Sequence, residues 1–204
     1  MHAVLLSLLL VALPVSVRAA DPGAPKRLVI IGDSLTEGYG VSKDKAYPTL
    51  LQEKIKKLGK NYMVINAGIS GSTSASAVSR MSWQLKNKPE FILLALGAND
   101  GLRGLPVKAM EDNLNKAVAL AKTAGVKIML AGMRLPPNYG QAYVDDFTAA
   151  FTRVAQKNGV PLLPFILEGV GGVADLNLTD RIHPNEKGHT IVADTVFNFI
   201  QKYL

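Results

Sequence analysis

The order of the apolar runs most constrains what this chain can fold into. Leu28-Val29-Ile30-Ile31 is a run of four aliphatic residues closed by Gly32. Phe91 to Leu96 is a second uninterrupted run, and shorter ones fall at 62–65, 126–130 and 160–163. Runs of this length mark strands buried on both faces, as in parallel sheets. Between them the periodicity turns helical. Leu50, Leu51, Ile55 and Leu58 share one helix face within 47–58, and Gly59 stops that helix. Further helices are expected over 75–86, 107–124, 141–156 and 185–203. Strand alternating with helix specifies an α/β class: a five-stranded parallel sheet with helices on both faces and right-handed crossovers.

Composition narrows the partners. The 204 residues are 48% apolar, enough for one domain with a sizeable core, expected over 21–204. The formal net charge is +7, yet the tight basic cluster is Lys54, Lys56, Lys57 and Lys60, beside a helix end. No stripe interleaves basic with aromatic residues, so this reads as a solvated face and nucleic acid is not an expected partner. The absence of cysteine excludes thiolate metal sites, a Cys nucleophile and disulfides. Ala3 to Val17 is almost wholly apolar and leads into Val17-Arg18-Ala19-Ala20. That pattern predicts a signal peptide over 1–20 and a periplasmic or secreted protein. The run is shorter than the ~20 residues a spanning helix needs, so no stable membrane span is expected.

In a parallel sheet the loops after the strands share one edge, where ligands bind. Here those loops carry the polar residues. Ser34 follows the first strand directly; it is a candidate nucleophile, or else a helix cap. A serine nucleophile needs a base, and the histidines are His2, His183 and His189. His2 lies in the predicted signal peptide. His189 falls within the last helix, where a packed or solvated role is expected. His183 precedes Pro184, expected as the first helical residue, which would put His183 at the cap. Asp180, three residues earlier, can reach the imidazole and hold its tautomer. Candidate oxyanion donors are the Ser34 N–H, Gly71 and the Asn99 amide. Asp33 is expected to bond backbone. No motif orders Asp33, Asp100 and Asp180 as metal ligands, and no cofactor is expected.

Gly32-Asp33-Ser34-Leu35, Gly71, Gly97-Ala98-Asn99-Asp100 and Asp180-Arg181-Ile182-His183 together resemble the four blocks of the GDSL, or SGNH, hydrolases. Order and spacing agree over essentially the whole of 21–204. Three further stretches resemble the narrower bacterial thioesterase I, lysophospholipase and arylesterase group: 99–104, 134–140 and 160–165. The resemblance implies a flavodoxin-like three-layer α/β/α fold. It implies Ser34 as nucleophile, His183 as base, Asp180 as its orienter, and an oxyanion hole from Ser34, Gly71 and Asn99. In the narrower group Asp often follows the second-block glycine; here Ser72 stands there, which leaves the bracing of that loop open.

The expected activity is hydrolysis of acyl or aryl esters and thioesters, on small-molecule or lipid substrates. The alternatives are a lysophospholipase or carbohydrate deacetylase and, outside enzymes, a binding module on a flavodoxin-like scaffold. Leu135, Pro136 and Tyr139 lie in the loop after the fourth strand and are expected to wall the acyl site.

Overall fold

The computed structural model describes residues 23–204; the predicted signal peptide lies outside the described residues. Five strands, β1 (Lys26–Gly32), β2 (Tyr62–Gly68), β3 (Phe91–Ala95), β4 (Lys127–Ala131) and β5 (Leu162–Leu163), form one parallel sheet in the order β2-β1-β3-β4-β5. The apolar runs make its centre: Leu28 to Ile31 and Ile92 to Leu94 are completely buried. β5 is two residues long where four were expected, because Pro161 has no N–H to donate and Pro164 follows at once.

Helices α2 (Tyr47–Lys57) and α7 (Glu186–Ile200) pack together on one face. On the other, α3 (Ala77–Leu85) and α6 (Gln141–Asn158) flank α5 (Val107–Thr123). Two short helices, α1 (Ser34–Glu37) and α4 (Ala98–Leu102), sit directly on the ends of β1 and β3. At four and five residues they carry no periodicity that a sequence could display.

The topology sets the position of the site. The chain leaves β1 toward β2 on one side and later places β3 on the other, so the order reverses at β1. That reversal opens a crevice at the strand carboxyl ends. Gly32 is level with Gly68 on one side and with Ala95 on the other. The loops bearing Ser34, Gly71 and Asn99 therefore leave the sheet at one height.

Gly32 is needed for space rather than for unusual dihedrals. A Cβ there would lie 1.9 Å from the Thr36 Oγ1, so only glycine lets α1 fold back onto its own strand.

Candidate active site

Ser34 opens α1, one residue past the Asp33 cap, and is 9% exposed. Its Oγ lies 2.8 Å from the Nε2 of His183, 149 residues away in sequence. The His183 Nδ1 lies 2.7 Å from the Asp180 Oδ2. With Nδ1 protonated, that nitrogen donates to the carboxylate and Nε2 accepts from the Ser34 hydroxyl.

Asp180 also shapes the turn that carries His183. Its Oδ1 accepts the backbone N–H groups of Ile182 (2.9 Å) and His183 (3.0 Å). The Leu178 N–H donates to the His183 carbonyl at 2.7 Å and closes the turn, with Arg181 in the left-handed region at φ 59°. Burial opposes the Asp180 charge, but the His183 N–H, its imidazole and the Ile182 N–H outweigh it and hold the carboxyl below its ordinary range.

His183 is not the helix cap expected from Pro184. Asn185 caps α7, accepting the Gly188 N–H at 3.1 Å, and Pro184 bridges to Asn177. Asn is the stronger cap, so the helix starts two residues later and leaves His183 in the turn. The Tyr39 ring lies against the imidazole, centroids 4.7 Å apart. Sequence reasoning gave Tyr39 no role, and nothing local signals one.

His189 belongs elsewhere. It is buried, and its Nδ1 accepts the Tyr47 N–H at 3.2 Å. Burial, with the nearby His183, pushes its pKa down to about 4.

The three expected oxyanion donors occupy adjacent loops. Asn99, in α4, donates its Nδ2 to the Ser72 carbonyl at 3.1 Å and approaches the Asp33 Oδ2 at 3.4 Å. Gly71 has φ 74°, and its carbonyl accepts from the Arg103 guanidinium at 2.9 Å. A Cβ there would meet only that guanidinium, at 3.5 Å. Gly71 is thus required by its dihedral, not by space. Asp33 is completely buried; its Oδ1 accepts the Leu35 N–H at 3.0 Å, the backbone role expected of it. Burial pushes its carboxyl up to about 6, against the pull of that N–H.

The Gly71 loop is braced without an acid at position 72. Asp100, buried beside Asn99, accepts the Ser74 N–H at 2.7 Å and the Ser74 Oγ at 2.6 Å. Asn113 holds the same hydroxyl at 3.0 Å. From the other side, Glu37 accepts the Ser70 N–H at 2.7 Å and also its hydroxyl. Asp33, Asp100 and Asp180 each have their own partners and do not converge.

Ser34, Asn99 and His183 line a cavity of about 380 Å³. Its walls are mostly apolar and include Leu35, Leu102, Leu135, Pro136, Phe165 and Ile182. Leu135 and Pro136, two of the residues expected to wall an acyl site, line this cavity. Tyr139 does not line the cavity: its hydroxyl donates to the Leu102 carbonyl at 3.0 Å. The 3₁₀ turn at Pro137–Tyr139 swings the ring inward against the core, so Tyr139 supports a wall residue instead of being one. Arg134 stands at the rim over the Phe165 ring, 5.0 Å from its centroid.

A family model described as the GDSL-like Lipase/Acylhydrolase family matches residues 30–191. An arylesterase of Vibrio mimicus is 35% identical over 187 residues, covering 91% of this chain and 94% of that protein. "Thioesterase 1/protease 1/lysophospholipase L1" of Escherichia coli K12 is 37% identical over 195 residues, 95% of this chain and 90% of its own. The crystal structure of TesA superposes with a TM-score of 0.85 at 36% identity, covering 88% of this chain and all of that one.

Proposed function

The chain belongs to the GDSL-like lipase/acylhydrolase family, and we propose that its ester-hydrolase chemistry is carried by Ser34, His183 and Asp180. The observation that supports this is the unbroken hydrogen-bonded line from Ser34 through His183 to Asp180, opening on an apolar cavity.

The substrate carbonyl carbon approaches the Ser34 Oγ while its acyl group lies along the apolar wall. His183 Nε2 takes the hydroxyl proton as the Oγ–carbon bond forms. Asp180, through Nδ1, stabilises the imidazolium. The carbonyl oxygen gains charge facing the Ser34 N–H, the Gly71 N–H and the Asn99 amide. Such donors are worth about 3–4 kcal/mol each to the transition state. Collapse expels the alcohol or thiol, which takes the Nε2 proton. Water, deprotonated by His183 Nε2, then adds to the acyl carbon, and the Ser34 Oγ leaves with that proton as the free acid forms. The apolar walls suit the acyl group of an ester or thioester, and relatives are named arylesterase and thioesterase 1/protease 1/lysophospholipase L1.

Fluorophosphonate labelling tests the assignment. One equivalent should attach to Ser34, and Ser34→Ala should remain unlabelled. Attachment at another serine, or none, overturns it.

Export is proposed from the apolar 3–17 run and the small residues at 17–20. N-terminal sequencing of exported protein should find Ala20 or Asp21 first; a start at Met1 refutes it. Among the described residues no helix is long and apolar enough to cross a membrane.

A further inference from the structure

The edge of the sheet opposite Ser34 carries a concentration of positive charge that the sequence scatters over the whole chain. Each strand starts there and each long helix ends there. The end of α2 and its turn bring Lys56, Lys57 and Lys60, all exposed. The turn after α3 adds Lys86 and Lys88, and the last turns of α5 and α6 add Lys122 and Lys157. Strand starts supply Lys26 and Lys127, and the terminal 3₁₀ turn supplies Lys202.

Contacts tie these into one surface. Glu90 binds both Lys127 (2.9 Å) and Lys26 (3.9 Å). Lys60 reaches the Leu204 carbonyl at 3.3 Å, and Lys122 reaches the Asn158 carbonyl. Negative charge is sparse on this edge: Glu90, Glu53, and Asp194 paired with Lys54. Asp33, Asp100, Asp180 and Glu186 all lie at the other edge, by the strand carboxyl ends and helix starts.

Helix dipoles account for only part of this. Lysines in last turns offset the carbonyl ends of helices, which explains Lys56, Lys57, Lys122 and Lys157. Lys60, on the Leu204 carbonyl, and Lys202 likewise meet the last helical turn, whereas Lys26 and Lys127 share the carboxylate of Glu90 and Lys88 sits in a turn, so the cluster keeps more positive charge than its dipoles and partners offset. Crowded like charges cost stability, so an outside partner is the economical reason for them. Leu58 (43%) and Met63 (37%) stand exposed at the end of α2 and the start of β2, and Trp83 (63%), in the last turn of α3, lies under Lys86 with the ammonium 4.9 Å from the ring centroid and borders Ala67 and Ile69 toward the other end of β2. Lysines around an exposed Trp and Leu are the make-up of a contact with a lipid interface. A nucleic acid would instead call for an element shaped to a groove or a row of stacking rings.

We propose that this basic edge seats the protein on an anionic phospholipid surface, with the cavity facing away into water. The strands separate the two edges by about 20 Å. Resting on the function proposed above, a seated molecule would then act on dissolved esters rather than on the lipids beneath it.

The test is sedimentation of the full chain with vesicles of phosphatidylcholine alone and of phosphatidylcholine with one-third phosphatidylglycerol. The chain should sediment with the anionic vesicles only, and less as salt rises. Lys56→Glu/Lys57→Glu/Lys60→Glu should weaken binding by about 100-fold or more, taking about 1 kcal/mol for each lysine lost. Hydrolysis of dissolved p-nitrophenyl acetate by the variant should be unchanged. Equal sedimentation with both vesicles would assign binding to the apolar 3–17 stretch and overturn the proposal. So would binding that survives the triple substitution, or binding to duplex DNA without binding to anionic vesicles. If the chain sediments as expected but hydrolyses nothing, the surface stands and the functional reading falls.

Discussion

The imidazole of His189 caps a helix to which it does not belong. Its Nδ1, on α7, accepts the N–H of Tyr47 at the first position of α2. Ala46, the residue at the cap, has no side chain that could do so. The bond needs a neutral imidazole, and burial keeps it so, with a pKa of about 4 against an ordinary 6.5. In the unfolded chain His189 binds a proton near pH 6.5; in the fold it does not until about pH 4. Unfolding therefore takes up a proton across this window, and stability falls as pH drops through it. The full effect is on the order of 3 kcal/mol. Asp33, its carboxyl pushed up to about 6, takes up a proton in the fold over much of the same window and offsets that loss, so urea titrations between pH 7 and 4 should show it as the difference between wild type and His189→Gln. His189→Gln should lose less stability than wild type as pH falls, while leaving ester hydrolysis at neutral pH largely intact.

The proposed triad members should differ in cost. Ser34→Ala and His183→Ala should each lower kcat for p-nitrophenyl acetate by about 10³-fold or more with the fold retained. The Asp180 side chain is 37% exposed, so water screens its charge and partly replaces it. Asp180→Ala should therefore keep roughly 10–100-fold more activity than His183→Ala. Circular dichroism checks the fold and initial rates check the order; equal losses for all three would contradict it.

The scaffold was legible because it repeats. Four-residue apolar runs and helical periodicity do not depend on distant partners, and they place Ser34, Asn99 and His183 at one edge by topology alone. The site's own details depend on contacts across the fold. Nothing near Ser74 announces that Asp100 will grip it. Pro184 looked like a helix start until Asn185, the better cap, took that place. Tyr139 looked like apolar wall, but its hydroxyl found the Leu102 carbonyl and turned the ring away.

The Asp100 clamp yields a prediction about the oxyanion loop. Its carboxylate takes two donors from Ser74 while its chain neighbour Asn99 holds the Ser72 carbonyl. Loosening the clamp should let the Gly71 N–H drift relative to Asn99. Asp100→Asn removes the charge assistance from both bonds and leaves an amide that cannot accept at both atoms. Expected are a stability loss of about 1–3 kcal/mol and a kcat reduced by about tenfold or more with KM little changed. Fluorophosphonate should still label Ser34, more slowly. An unaltered kcat would place the clamp outside the chemistry.

The cavity wall should read acyl length, and Ile182 is the place to ask. It lines the cavity, yet it is 41% exposed and outside the main core, so truncation leaves the fold intact. Leu135 is a poorer probe, because at 8% exposure it also packs in the core. Ile182→Ala keeps the backbone N–H that Asp180 accepts. A short acetyl group does not extend along the wall and should lose little. A longer chain covers Ile182 and gains about 0.8 kcal/mol per buried methylene, about fourfold in kcat/KM for each. Comparing wild type and Ile182→Ala on p-nitrophenyl acetate, butyrate and octanoate should show a loss that grows with length. A uniform loss would mean that the substitution disturbs His183, its neighbour in the chain, and that the acyl group lies elsewhere.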